Sequence, residues 1–224
     1  MALYTMADLH LSFSTEKPMD VFGDRWKDHP DKIVRQWPLN EDDTIVLAGD
    51  LSWAIDFSEL EADLDFVSRL PGKKIIVKGN HDYWWETMTK LRRLTQAHPD
   101  ISFLHNNSVT VSGVSVCGTR GWTLEKTDED EKVLNREVGR LRTSLQSAEA
   151  EPVVFLHYPP VYGNLRCEPI LDLLKQYGVK ECYYGHLHGP SHALAREGEI
   201  DGITFRLVSA DRLDFVPLKI RDGM

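Results

Sequence analysis

Thr44-Ile45-Val46-Leu47-Ala48-Gly49-Asp50 and Lys74-Ile75-Ile76-Val77-Lys78-Gly79-Asn80-His81-Asp82 are the two stretches that decide how this chain folds. Each is a short run rich in Val, Ile and Leu that passes through Gly directly into a side chain able to bind a metal. Continuous apolar runs of this length read as strands buried on both faces. Three more follow the same rule: Leu3–Ala7 leads into Asp8-Leu9-His10, Val153–Leu156 into His157, and Cys182–Tyr184 into Gly185-His186-Leu187-His188. In sheets of buried parallel strands, ligands gather outside the carboxyl ends. One edge of the molecule should therefore gather two Asp, one Asn and several His at a common spot. That composition suits a pair of metal ions and points to a hydrolase.

Helices are expected between these strands. Residues 58–70 carry Leu60, Leu64, Val67 and Leu70 at helical spacing, with Asp56 or Ser58 as the cap. Leu91 and Leu94 suggest a helix after the second stretch, and residues 128–147 align Leu134, Val138, Leu141 and Leu145 on one face. Pro169–Tyr177 reads as a short helix ended by Gly178. Later parts of the chain look antiparallel. Ser108–Val111 and Val114–Gly118 flank a Ser-Gly turn, and Ile203–Val208 and Leu213–Leu218 flank Ala210-Asp211, giving two expected hairpins. βα units followed by hairpins can build two sheets face to face with helices outside both. Residues 12–40 have no clear period, contain Pro18, Gly23, Pro30 and Pro38 and follow the first motif, so they are expected to form an active-site loop.

Bulk properties exclude several classes. At 224 residues, 42% hydrophobic and 27% charged, the chain is expected to form one globular domain, residues 1–224. No stretch approaches a membrane span, and the first strand begins too close to Met1 to leave room for a leader. Cys117, Cys167 and Cys182 are odd in number and scattered, as expected of reduced thiols in a cytoplasmic protein. A formal charge of −9 argues against nucleic acid as an obligatory partner. It leaves a phosphorylated substrate open, because bound cations would invert the local field.

Asp8-x-His10, Gly49-Asp50, Gly79-Asn80-His81-Asp82, His157 and Gly185-His186-x-His188, in this order, resemble the motif set of the calcineurin-like metallophosphoesterases. The resemblance implies an α/β (α+β) fold, a four-layer αββα sandwich of two mixed β-sheets face to face and flanked by helices. It implies that Asp8, His10 and His188 hold one divalent metal, that Asn80, His157 and His186 hold the other, and that Asp50 bridges them. His81 would stand beside the leaving group, with Asp82 steering its ring. The expected activity is hydrolysis of a phosphomonoester or phosphodiester, of small or macromolecular substrates, by attack of a metal-bound hydroxide.

The residue types suit that chemistry on their own terms. Two divalent ions roughly 3.5–4 Å apart can clamp the attacking and leaving oxygens of an in-line displacement, and a carboxylate can give one oxygen to each. Imidazole and carboxylate ligands suit Mn, Fe, Zn or Ni. With two aspartates and a hydroxide, the ligand set stays at about +1, which favours phosphoryl oxygens. His81 is free for acid catalysis, since the side chains of neighbours such as Asn80 and His81 diverge at a strand end. Trp53 departs from the resemblance, because many members carry an acid or Arg three residues after the Asp; packing into the core is the favoured account of it. Packing or solvation is likewise favoured for Arg25, Trp26, His29, Arg120, Trp122, Tyr158 and His192. Two rival readings are a non-catalytic scaffold of the same fold that serves protein interaction, and an amidohydrolase barrel, which needs more βα units than the chain supplies.

Overall fold

The computed structural model describes residues 1–122 and 128–223. The first apolar runs become β1 (Leu3–Met6), β2 (Thr44–Ala48) and β3 (Lys73–Val77), joined by β4 (Ile101–Phe103), and all four are parallel. β5 (Val109–Val111) then pairs antiparallel with β6 (Val114–Thr119) across Ser112-Gly113, both at positive φ, as the expected hairpin requires. β5 is the edge of the second sheet, and β6 inside it runs parallel to β7 (Glu151–Leu156). β8 (Val161–Tyr162) and β9 (Leu165–Arg166) form a separate small ribbon. β10 (Glu181–Tyr184) continues the second sheet, and β11 (Gly198–Ile200) and β12 (Ile203–Leu207) close it. β13 (Leu218–Arg221) returns to the first sheet, antiparallel to β1.

Three separate cores confirm four layers. Tyr4, Ile45, Leu47 and Ile76 on one face of the first sheet pack against α1 (His29–Gln36), α2 (Phe57–Arg69) and α3 (Met88–Ala97). Leu3, Val46, Ile75 and Val77 on the other face meet Val116, Val153 and Phe155 of the second sheet. Val154, Leu156, Cys182 and Phe205 then pack beneath α4 (Asp128–Gln146) and α5 (Glu168–Gln176). Alternate residues of one strand thus enter different cores, which is why the runs show no polar alternation. A barrel is ruled out. Asp56 is the cap of α2, accepting from the N–H groups of Ser58 and Glu59.

The expected tail hairpin is wrong. β12 belongs to the second sheet and β13 to the first, and the chain between them crosses over the sheet ends. There Ala7 N–H donates to Val208 O at 2.8 Å and Ala210 N–H to Ala7 O at 2.9 Å. The late hairpin is instead β11–β12 around Asp201-Gly202, both at positive φ. Residues 12–40 also hold α1, hidden from the sequence reading by Pro30, which sits in the helix's first turn, where no N–H is needed. No described helix is long and apolar enough to cross a membrane.

Candidate metal centre

The strand-end motifs meet because the chain continues past the sheet in register. Asp8 N–H donates to Gly49 O at 2.8 Å and His10 N–H to Asp50 O at 3.0 Å, so the loops after β1 and β2 run side by side. Asp8, His10, Asp50 and His186 all lie in the left-handed region, with φ of 62°, 46°, 51° and 74°. Each such residue costs about 1–3 kcal/mol unless its surroundings hold it, and such outliers cluster at functional sites. Gly79 and Gly185 permit the close approach: a Cβ on Gly79 would strike the Asp50 backbone and carboxyl, and one on Gly185 would strike Asp8 Oδ2. The glycines of these motifs are there for space.

Two groups of donor atoms lie within 4.8 Å of one another: Asp8, His10 and His188, and Asp8, Asp50 and His157. His188 Nε2 is 3.4 Å from Asp8 Oδ1 and 3.3 Å from His10 Nε2. Asp8 is common to both groups, and Asp50 Oδ2 of the second lies 3.7 Å from His10 Nε2 of the first and 3.4 Å from His157 Nε2. Asn80 Oδ1 meets His157 Nε2 at 2.7 Å. His186 sits outside both groups. Its N–H donates to Asp8 Oδ2 at 2.9 Å, and its ring packs beside His157 and Tyr158.

The electrostatics suit a cation. Burial, and then the charge of Asp8, pushes the Asp50 carboxyl well above its usual range. Burial also works to raise Asp8, but the charge and hydrogen bond of His188, then the charges of His157 and His10, outweigh it and hold Asp8 well below normal. Burial opposes charge on His188 too, yet Asp8 and then Asp211 lift it to about 10. His186 falls to about 4 through burial and the His157 charge, and burial lowers His157 and His10 as well. His10 Nδ1 is buried with no partner among the described residues. Two carboxylates, an amide oxygen and converging imidazoles, with too few protons to satisfy one another, fit divalent cations.

His81 lies half-buried at the side of this cluster, its N–H donating to Asp50 Oδ1 at 2.8 Å. The expectation that Asp82 steers its ring does not hold. The Asp82 carboxylate is fully buried and accepts from the N–H groups of Gly79 (2.7 Å), Asp50 (3.0 Å) and Leu51 (2.9 Å), bracing the bend that carries Asp50. Burial, then the Asp50 charge, takes Asp82 up to about 7. The group within reach of His81 Nδ1 is instead the Tyr83 hydroxyl, at 3.3 Å.

Asp211, which the sequence pattern places in a turn, is a further functional candidate. Its Oδ1 is 2.9 Å from His188 Nδ1 and its Oδ2 accepts Gly189 N–H at 3.0 Å, the usual way of orienting a ligating imidazole. The available signal was an acid following the apolar run that ends β12, the same pattern as at Asp8 and Asp50. Trp53 walls the site, stacked on His10 at 5.0 Å and lying 4.3 Å from the His81 ring. Met19, Phe22 and Trp26 line the same cavity of about 190 Å³, so the 12–40 segment does form a wall of the site. Arg25 bonds Asp211 O and pairs with Asp214, while His29 is buried against Trp26. His192 Nε2 lies 3.3 Å from Asp211 Oδ2. Arg120 packs over Trp122 and faces Glu137.

A family model described as calcineurin-like phosphoesterase matches residues 1–190, a span that contains every strand-end motif. Among solved structures, a phosphopantetheinyl hydrolase from Mycobacterium tuberculosis is similar, with a TM-score of 0.59 and 16% identity over 98% of this chain and 95% of that one. A protein of unknown function from Aquifex aeolicus gives a TM-score of 0.54 at 15% identity, covering 97% of this chain and 95% of that one. At these identities the two likenesses speak to the fold. No curated protein sequence matches the chain significantly.

Proposed function

Because this chain belongs to the calcineurin-like phosphoesterase family, and is by that membership a metal-dependent hydrolase of phosphoric esters, we propose that its substrate is cleaved at the strand-end cluster built around Asp50. The observation that carries this reading is the convergence of Asp8, His10, Asp50, His157 and His188 into two donor groups that share Asp8, with Asp50 Oδ2 near both His10 and His157. Asp8, His10 and His188 would hold one ion; His157 and Asn80, joined by His186 if its ring turns inward, would hold the other, with Asp50 between them. Ions of the Mn, Fe, Zn or Ni class suit this set. When bound, they supply positive charge for the phosphoryl oxygens and make a nucleophile available at neutral pH.

The chain's own groups do the rest. Asp211 fixes the ring of His188, and Asp82 fixes the bend that aims Asp50. With Nδ1 facing Tyr83, His81 keeps Nε2 for the leaving-group oxygen, where it would hold a proton or hydrogen bond. Burial, then the His157 charge, lowers the basicity of His81. An incoming anionic phosphoryl group would raise it again, so charging is tied to substrate binding. Trp26, Trp53, Met19 and Phe22 give the cavity apolar walls that exclude water and strengthen the fields inside it.

Elemental analysis of the purified protein, coupled to a panel of aryl phosphate mono- and diesters, tests the reading. A phosphopantetheinyl ester belongs in that panel, given the hydrolase of similar fold. The expected result is two divalent ions per chain, with turnover lost in Asp50→Ala and cut by about 10²–10⁴ in His81→Ala. Wild-type turnover in both variants would overturn the assignment, and bound metal with no turnover anywhere on the panel would favour the scaffold reading.

A further inference from the structure

A second cavity opens on the same carboxyl edge of the two sheets. Lys78 after β3, His105 beyond β4 and Arg140 of α4 line both of its lobes, together with Asn106, and Arg120 after β6 lines only the smaller lobe, of about 10 Å³. Its larger lobe, of about 620 Å³, is walled by Trp85. None of these residues belongs to the metal centre.

Its chemistry is the reverse of that centre's, because donors outnumber acceptors. Glu137 is the buried acid here, and it is already used: it accepts from Thr119 Oγ1 at 2.5 Å and Arg140 Nη1 at 2.6 Å, with Arg120 Nη2 at 3.6 Å. Glu86 on the rim pairs with Lys90 at 2.7 Å. Three basic side chains therefore face one buried carboxylate. Arg120 Nε–H and Trp85 Nε1–H are both buried with no acceptor among the described residues. Buried donors are almost always satisfied, so an orphan on a residue lining each lobe calls for outside acceptors. The field reflects the imbalance: burial, then the charge of Arg140, lowers His105. In a chain of net charge −9, such a concentration of cations is not a by-product of composition.

We propose that this cavity is a second ligand site, which binds the phosphate-type oxyanion of a small molecule in its larger lobe among Lys78, His105 and Arg140, with Arg120 lining the adjoining smaller lobe. Guanidinium and ammonium groups around one cavity suit an oxyanion with several acceptor oxygens. The site is also wired to the metal centre. Lys78 directly precedes Gly79-Asn80-His81, and Arg120 O accepts the N–H groups of His157 at 3.1 Å and Tyr158 at 2.8 Å. An occupant would therefore pull on one ligand-bearing segment from each sheet.

Calorimetric titration of the metal-loaded full chain with inorganic phosphate at low ionic strength tests the proposal. Two classes of site are expected in the wild type. Arg140→Gln and Lys78→Gln should each weaken one class at least about tenfold, while Asp50→Ala should remove only the other. Arg140→Gln, on the partly exposed side of α4, keeps the test decisive if half-buried Lys78 proves necessary for folding. Phenylphosphonate separates the two sources of the anion: tighter binding than phosphate at this site marks an organic ligand, and equal binding marks free phosphate. A single class that Asp50→Ala removes and Arg140→Gln leaves untouched would overturn the proposal. Because the two sites lose binding through different variants, failure here leaves the phosphoesterase reading standing, and the reverse also holds.

Discussion

The metal centre and the basic cavity occupy the same edge of the same two sheets, yet they seek opposite charges. At the centre, Asp8, Asp50, Asn80 and the imidazoles present lone pairs with too few protons among them. In the cavity, Lys78, Arg120, Arg140 and Trp85 present protons with too few lone pairs. Sheet geometry supplies a place where loops converge, and side-chain choice at each strand end sets the sign. A difference in backbone separates them further. Four residues at the centre are held in the left-handed region, whereas Lys78, Arg120 and Arg140 have ordinary backbone angles and long, flexible side chains. Short side chains must be aimed by the main chain. Long ones aim themselves.

The strongest way to break this contrast is Asp50→Ala. It should reduce hydrolysis of a chromogenic aryl phosphate below detection and lower the metal content seen by elemental analysis, while the fold survives in circular dichroism. His81→Ala comes next, with kcat reduced by about 10²–10⁴ at unchanged metal content; a parallel fall in both would make His81 a ligand. Asp211→Asn should weaken metal binding about 10–100-fold, measured by competition with a chelator, because His188 would keep its lone pair but lose its orientation. Unchanged affinity would reduce Asp211 to a structural role.

The smallest effect serves as a control at the opposite edge of the first sheet, where Lys74 is buried at the start of β3. Its ammonium donates to Leu70 O near the end of α2 and to Asp100 Oδ2 at 2.8 Å. Burial works to raise Asp100, but Lys74 and then Ser68 hold it below its usual 3.8. A carboxyl depressed by folding adds stability above its unfolded pKa and loses it as pH falls through the folded value. Wild-type thermal stability should thus decline as pH drops below about 4, and Lys74→Met should flatten that decline without touching metal binding. Equal acid slopes would remove the pair from the account.

Much of this was legible beforehand, because buried parallel strands write themselves as continuous apolar runs. Ile45 and Leu47 enter one core and Val46 another, so both faces demand apolar residues and the strands stand out. The helix at Phe57–Arg69 and the Ser112-Gly113 hairpin were equally visible, the first by period and the second by turn chemistry. The tail misled because a turn pattern says that the chain reverses but not which sheet takes each strand. Pro30 misled because the same residue breaks a helix interior and opens a helix.

By itself, the sequence determined which strands are buried, where they end, and which chemical groups stand at those ends, since each follows from local periodicity and neighbouring residue types. Only the tertiary structure decided partnerships. Asp82 lies one residue from His81 and yet braces Asp50, 32 positions away, while Asp211 orients His188 across 23 positions. Trp53 became a wall because His10 and His81, from different strands, close on it from two sides. Hydrogen bonds and ring contacts are satisfied across space, by whichever loops the two sheets bring to one edge, and that convergence is a property of the whole fold.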